Sequence, residues 1–323
     1  MRRFLLYVHT GRRSALEAMA TVLHEMRRRG VRGVVIDDQV TELRQQSTAG
    51  IRDADGQRVV PEGLLDLLDG GDVDIDDVVT AADAVELGIV LGGDGTILRA
   101  LEIVRGAGVP LHGVNLGHVG FLAESEVADL SDTVRRLLDG DYGIEERSTL
   151  DIAVFDADRR QIASHWALNE ASLEKADRLK MVNVVLEIDG RPVSSFGCDG
   201  VLLSSSTGST AYAFSAGGPV VWPEVDAFLV VPLAAHALFA RPLVLGRSSR
   251  AAVEVVADNS GPALLTLDGR RSLEILPGMR VETGLSPETV RLARLSSTPF
   301  ADRLVEKFRL PVVGWRGRDA QGR

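Results

Sequence analysis

The residues best suited to chemistry lie in Gly92-Gly93-Asp94-Gly95-Thr96. An apolar run before them, Leu87 to Leu91, reads as a buried strand. After them Ile97, Leu98, Leu101 and Val104 recur at three- and four-residue steps and read as a helix ending near Gly106. A strand that turns tightly into a helix presents backbone N–H groups at a helix N-terminus, a setting that suits phosphate. The glycines let that backbone approach a ligand without Cβ clashes. Asp94 is a poor phosphate holder, because like charges repel. It suits a base for a hydroxyl, or a magnesium ligand near phosphates. The segment therefore points to phosphoryl transfer to a hydroxyl. It reads equally as a plain strand-to-helix turn in which Asp94 accepts local N–H groups.

A second constellation departs from the pattern of its surroundings. Ser204-Ser205-Ser206-Thr207-Gly208-Ser209-Thr210-Ala211-Tyr212-Ala213-Phe214-Ser215-Ala216-Gly217-Gly218-Pro219 is dense in hydroxyls and glycines. It offers short donors and room for a ligand close to the backbone, with Tyr212 able to stack on a base or hydrogen-bond it. A Ser-rich loop capping a helix has the same texture. Asn169-Glu170 ends an expected strand. An amide beside a carboxylate can read a base edge and a ribose diol together, and it is also common at ordinary strand ends.

The chain has 323 residues, 45% of them hydrophobic and 25% charged, which allows two domains and a sizeable core. A net charge of −10 argues against a bulk nucleic-acid binder, which needs a basic face. A small anionic ligand needs only a local patch and is not excluded. The N-terminal Met1 to His9 has too short an apolar part for a signal peptide and reads as a strand. No run approaches the ~20 apolar residues of a membrane-spanning helix. A single cysteine, Cys198, forms no internal disulfide, and the expected location is cytoplasmic. The six histidines are scattered, without zinc-ligand spacing.

The elements that must position these segments follow from periodicity. Phe4–Val8 is a first strand. Ser14 and Glu17 form the capping box of a helix with Ala15, Met19, Val22, Leu23 and Met26 on its apolar face. Gly33–Ile36 is a second strand, and strand–helix–strand implies a parallel sheet. Residues 41–56 read as irregular, 61–68 as a short helix, and the acidic stretch 66–83 as a solvated face. Residues 109–114 form a strand leading into a glycine loop, Asn115 to Leu122, in which Phe121 and Leu122 pack and His118 reads more readily as a structural or solvated residue than as a ligand contact. A helix over 127–138 follows. From about residue 147 the segments are short and alternating, with Asp189-Gly190 and Asp268-Gly269 as turn signals. Thr298-Pro299 opens a C-terminal helix with Phe300, Leu304, Val305 and Phe308 on one face, and residues 314–323 form a polar end. The expected architecture is an α/β N-terminal domain with a parallel sheet and flanking helices (1–147), a β-rich C-terminal domain (148–297), and a helix and tail (298–323) packing back on the first domain. No Gly-x-Gly-x-x-Gly follows the first strand, so standard Rossmann dinucleotide binding is not expected there.

These segments together resemble the NAD kinase family, most closely its actinobacterial members. The motifs that carry the likeness are Gly92-Gly93-Asp94-Gly95-Thr96, Asn115-Leu116-Gly117 through Leu122, Asn169-Glu170, Asp199-Gly200, Thr207 to Tyr212, Ser215 to Pro219, Pro232, His236, Arg241-Pro242 and Phe308 to Pro311. The likeness runs over about residues 84–316. Lipid kinases and 6-phosphofructokinases share the Gly-Gly-Asp-Gly element but not Asn-Glu followed by Thr-Gly-Ser-Thr-Ala-Tyr. The resemblance implies magnesium-dependent transfer of the terminal phosphate of ATP, or of inorganic polyphosphate, to the 2′-hydroxyl of the adenosine ribose of NAD. It implies that NAD binds between domains and subunits of a homodimer or homotetramer. By the same likeness Asp94 is the catalytic base. Asp94, Gly95, Arg99, Asn169, Glu170, Lys180, Asp199, Thr210, Ala211, Tyr212, Ser215 and Arg270 bind the dinucleotide. Lys180 and Arg270 rest on spacing rather than motif. Magnesium is held mainly by the donor phosphates. Two departures stand out: Ser206 replaces the family's usual proline, and Leu233-Ala234 replaces more polar residues. A sensor that binds NAD without turning it over is the rival from another class, and Asp94 counts against it.

Overall fold

The first strands of the chain are apolar on both faces, as strands covered by helices on both sides must be. A computed structural model describes residues 1–116, 120–126, 129–238 and 240–312. His118, the start of the expected 127–138 helix and the tail from 314 lie outside the described residues. Two compact units emerge: Met1–Glu146 with Arg291–Arg323, and Arg147–Val290.

The first unit runs β1 (Arg3–Val8), α1 (Arg13–Arg28), β2 (Arg32–Ile36), α2 (Asp37–Ala49), α3 (Leu64–Leu68), β3 (Val73–Asp76), β4 (Leu87–Leu91), α4 (Asp94–Val104), β5 (Leu111–Asn115), β6 (Ser125–Glu126) and α5 (Leu130–Asp139). Its sheet has the order β3-β2-β1-β4-β5, all parallel. Its core gathers Phe4 and Leu6 of β1, Ile89 and Leu91 of β4, Met19 and Leu23 of α1 and Leu137 of α5. Strand order reverses between β1 and β4. In open α/β sheets the crevice at the carboxyl ends of the strands on either side of such a reversal is where ligands bind. The Gly92–Gly95 turn follows β4 at that point.

The second unit contains β8 (Gln161–Ala167), β9 (Glu170–Lys175), β10 (Val182–Ile188), β11 (Arg191–Cys198), β12 (Gly200–Ser205), α6 (Tyr212–Ser215), β13 (Ala227–Leu233), β14 (Leu243–Gly246), β15 (Ala251–Val255), β16 (Ala263–Leu267) and β17 (Arg271–Ile275). The chain enters it within β7 (Gly143–Phe155) and leaves within β18 (Arg280–Arg294). One antiparallel sheet is β14-β13-β12-β9-β16-β17; β11, β10, β15 and the start of β18 pair antiparallel in another. Leu173, Leu203 and Leu265 of the first meet Val184, Val253 and Val281 of the second in one core. The C-terminal α7 (Phe300–Phe308) belongs to the first unit, where the rings of Phe300 and Phe308 each lie 5.8 Å from Phe121.

Several local expectations need correction. Helix α1 begins at Arg13 without a side-chain cap, and Glu17 forms an ion pair with Arg13 (2.8 Å) instead of a capping box. Residues 41–49, expected irregular, belong to α2, which buries Gln39, Val40 and Leu43 and closes at Gly50. Its apolar stripe is only two residues wide, so periodicity does not reveal it. The acidic stretch is partly a strand: Asp74 and Asp76 of β3 pair with Arg3 (3.2 and 2.6 Å), and Asp74 also with Arg32 (3.0 Å). Arginines from neighbouring strands thus make an edge strand out of residues that alone read as solvated.

Candidate active site

Asp94 is the first residue of α4, after Gly93 in extended backbone. Its carboxylate does not accept the local N–H groups of its own turn. Oδ2 accepts the Phe121 N–H (3.0 Å), and Oδ1 accepts those of Leu122 (3.1 Å) and Ala123 (3.4 Å). A carboxylate has about four lone-pair directions, so among the described residues one acceptor direction remains for a ligand's hydroxyl. Parallel pairing of β4 with β5 brings this second loop to Asp94, and Gly92 N–H donates to Val114 O across the pair (3.0 Å). The approach is so close that a Cβ on Gly120 would lie 2.1 Å from Asp94 Oδ1. Outside the clasp, Arg294 Nη1 donates to Leu122 O (2.8 Å), and Phe121 rests on α7. Gly95 and Arg99 are exposed on α4, one helical turn apart on the same side. The sequence marks Gly120 to Leu122 as a loop of close approach; that its target is Asp94 appears only in the structure.

The second unit assembles most of the remaining candidates around the β8–β9 connection. Leu168, Asn169 and Glu170 direct three consecutive N–H groups onto Asp268, at 3.1, 2.7 and 3.4 Å. On the other side Asn169 O accepts Ser205 N–H (2.9 Å) and Ser204 Oγ–H (3.2 Å). A Cβ on Gly208 would lie 2.0 Å from that same oxygen, so the position admits only glycine. Ser205 Oγ–H donates to Leu168 O and accepts Gly208 N–H (3.1 Å). The hydroxyl-rich segment therefore builds a 3₁₀ turn, Thr207–Thr210, followed by α6, which carries Tyr212 and Ser215. Thr210 Oγ–H donates to Thr207 O (3.2 Å), and Ala211 N–H to Gly208 O (2.9 Å).

Glu170 is buried, and its Oε2 has no hydrogen-bond partner. Burial, then the nearby Asp268 charge, push its carboxyl up to about 7, against the pull of the Tyr212 N–H. The Tyr212 hydroxyl donates to Glu174 Oε2 (3.3 Å). Burial and the charges of Glu174, Glu170 and Asp199 all raise the phenol's pKa, so Tyr212 is close to three carboxylates. Asp199 is half exposed and pairs with Lys175 Nζ (2.5 Å). Arg270 is exposed on the turn that contains Asp268. Lys180 lies apart on the β9–β10 loop, exposed and 3.9 Å from Asp177; no contact brings it to the others. No local sequence signal marks Asp268, Glu174 or Lys175 as part of the site. Asp268 was visible only as a turn residue, and the other two look like ordinary strand-end charges.

The two departures have local accounts. Ser206 is buried in helical backbone, and its hydroxyl donates to Pro223 O (3.4 Å). Leu233 O accepts Asp199 N–H (2.9 Å), and Ala234 turns the chain with φ +46°.

Comparison with known proteins agrees on the family. A profile described as the ATP-NAD kinase N-terminal domain matches residues 4–142, and one described as the ATP-NAD kinase C-terminal domain matches 168–295. An NAD kinase of Thermobifida fusca is 50% identical over 323 residues, covering 99% of this chain and 93% of that protein. NAD kinase 2 of Streptomyces coelicolor is 48% identical over 319 residues, covering 98% and 97%. Among solved structures, a yeast NADH kinase complexed with NADH superposes with a TM-score of 0.79 at 20% identity, covering all of this chain and 90% of that one. An NAD kinase from Archaeoglobus fulgidus in complex with ATP gives 0.67 at 22%, covering 96% and 99%. At such identities the structures speak for the fold.

Proposed function

This chain belongs to the NAD kinase family and is a phosphotransferase of that family; on that premise we propose that it converts NAD to NADP with ATP or inorganic polyphosphate as phosphate donor. The observation that carries the reading is the clasp on Asp94. A lone carboxylate stands at the start of a helix, at the strand-order reversal, held by the Phe121, Leu122 and Ala123 N–H groups with one acceptor direction left. That direction receives the proton of the ribose 2′-hydroxyl as its oxygen attacks the terminal phosphorus. The new O–P bond forms, the donor's bridging P–O bond breaks, and the donor leaves one phosphate shorter. A positioned base contributes roughly 10²–10⁴ in rate; positioning and charge stabilisation supply the rest. Asn169 and Glu170 read the dinucleotide with Asp199, Thr210, Ala211, Tyr212, Ser215 and Arg270, while Gly95 and Arg99 lie beside the base.

Among the described residues no three His, Cys, Asp or Glu side chains converge on a metal position. By the family likeness magnesium would be carried mainly on the donor phosphates, with Asp94 the carboxylate at hand, and would supply charge neutralisation there. No helix among the described residues is long and apolar enough to cross a membrane, which is compatible with a cytoplasmic enzyme. Assembly as a homodimer or homotetramer follows from family membership. The test is NADP formation from NAD with magnesium, run in parallel with ATP and with polyphosphate. Turnover with either supports the assignment and identifies the donor. NAD binding without turnover favours a sensor, and no NAD binding refutes the reading.

A further inference from the structure

We propose that Asp268, which lies outside the expected ligand contacts, is the positioning residue that shapes the Asn169–Glu170 pair for the dinucleotide and, in addition to burial, biases the form in which Glu170 meets it. The inference rests on the function proposed above.

The β16–β17 turn places Asp268 and Gly269 successively in left-handed backbone, with φ of +50° and +67°. Asparagine or glycine occupies such a position at lower cost than most residues, and neither carries a charge to bury. Asp268 does when ionised, with its side chain 2% exposed; burial pushes its carboxyl up, and the Asn169, Leu168 and Glu170 N–H groups and Arg271 pull it back towards the charged form. What offsets that cost is a set of donors. Oδ1 accepts the N–H groups of Asn169 and Glu170; Oδ2 accepts that of Leu168 and Arg271 Nη2 (3.0 Å). Asp268 N–H in turn donates to Glu170 O (2.9 Å). Three successive N–H groups converging on one anion form a nest, and this nest lies in the connection between β8 and β9. Without the carboxylate, those buried donors lose their partner.

The far side of Asp268 is braced as well. Arg271 donates to Trp166 O (2.8 Å), with its guanidinium 5.1 Å from the Trp166 ring centre. The groups that face Glu170 are therefore Asp268, backed by Arg271, from the β16–β17 turn, and Tyr212 from α6. Burial first, and then the charge of ionised Asp268, favour the protonated form of Glu170, and Arg271 moderates the Asp268 charge.

Asp268→Asn tests this without changing shape. Its amide N–H₂ replaces one acceptor facing Leu168 N–H and Arg271. The expected result is a KM for NAD raised about tenfold, with kcat within about threefold of wild type. The pH at which the KM for NAD inflects should also move down, because Glu170 no longer faces a negative charge. Arg271→Gln should move that inflection the other way. A purely structural role would raise KM without moving the inflection in opposite directions. An unchanged KM and unmoved inflection in folded Asp268→Asn overturn the proposal. If Asp268→Asn does not fold, an unmoved inflection in Arg271→Gln overturns it alone. Wild-type turnover of NAD, measured alongside, reports separately on the proposed function: its absence refutes that reading, whatever the variants do.

Discussion

Gly120→Ala is the most direct test of the Asp94 clasp, because it displaces the carboxylate without removing it. The added Cβ would lie 2.1, 2.7 and 2.9 Å from Asp94 Oδ1, Cγ and Oδ2. Carbon–oxygen contacts ordinarily close near ~3.3 Å, so the carboxylate or the loop must shift by about 1 Å. The loop has little freedom, since Arg294 holds Leu122 O and Phe121 packs on Phe300 and Phe308. The carboxylate therefore takes most of the shift. A misplacement of about 1 Å at a reacting group costs roughly 10²-fold, or about 2.7 kcal/mol of barrier. The assay is steady-state NADP formation, with NAD affinity by calorimetry and folding by thermal melting. The expected outcome is kcat down about 10²-fold, with NAD affinity within a few-fold. The effect should not add to that of Asp94→Asn, since both disable the same group. Gly106→Ala, where a Cβ meets nothing within 4 Å, is the matched control for folding. Near-wild-type turnover in folded Gly120→Ala, or full additivity with Asp94→Asn, would refute the clasp as the device that aims Asp94.

Three further outcomes are expected. Asp94→Asn keeps NAD affinity within a few-fold and loses roughly 10²–10⁴ in turnover; near-normal rates would remove Asp94 from the base's role. Glu170 titrates near 7 in the folded chain against an ordinary 4.5. An acid whose folded pKa is raised contributes stability below its unfolded pKa and loses it as pH climbs through the folded one, here between about 4.5 and 7. Glu170→Gln should therefore stabilise the ligand-free protein by up to about 3 kcal/mol at pH 8 and by little at pH 4, read from denaturant unfolding at both pH values; equal effects would contradict the burial argument. Burial pushes the Cys198 thiol up to about 12, so a thiol reagent at pH 8 should label it only on unfolding, and rapid labelling of the native chain would show that its surroundings open.

Much of this protein was legible in the chain because its signals are local. The apolar run of β4, the glycines after it and the 3.6-residue spacing of α4 are all within twenty residues, so the strand, turn and helix around Asp94 read directly. The same holds for the turn signals that punctuate the antiparallel second unit, and for the hydroxyl-rich segment that becomes a 3₁₀ turn and α6. Where local pattern was thin, tertiary packing decided. Helix α2 needed a core to receive Val40 and Leu43, and β3 needed arginines from β1 and β2 to neutralise its aspartates. What joins the site's parts was invisible for a plainer reason. The donors to Asp94 lie 27 to 29 residues away, and those to Asp268 lie 98 to 100 away. No periodicity or propensity couples residues at such separations; strand pairing does, by setting β5 beside β4 and β16 beside β9. Local sequence pattern named the candidate residues, Asp94 and the Asn169–Glu170 pair among them, and the elements that carry them. Strand pairing across long sequence separations then selects which backbone N–H groups Asp94 and Asp268 accept.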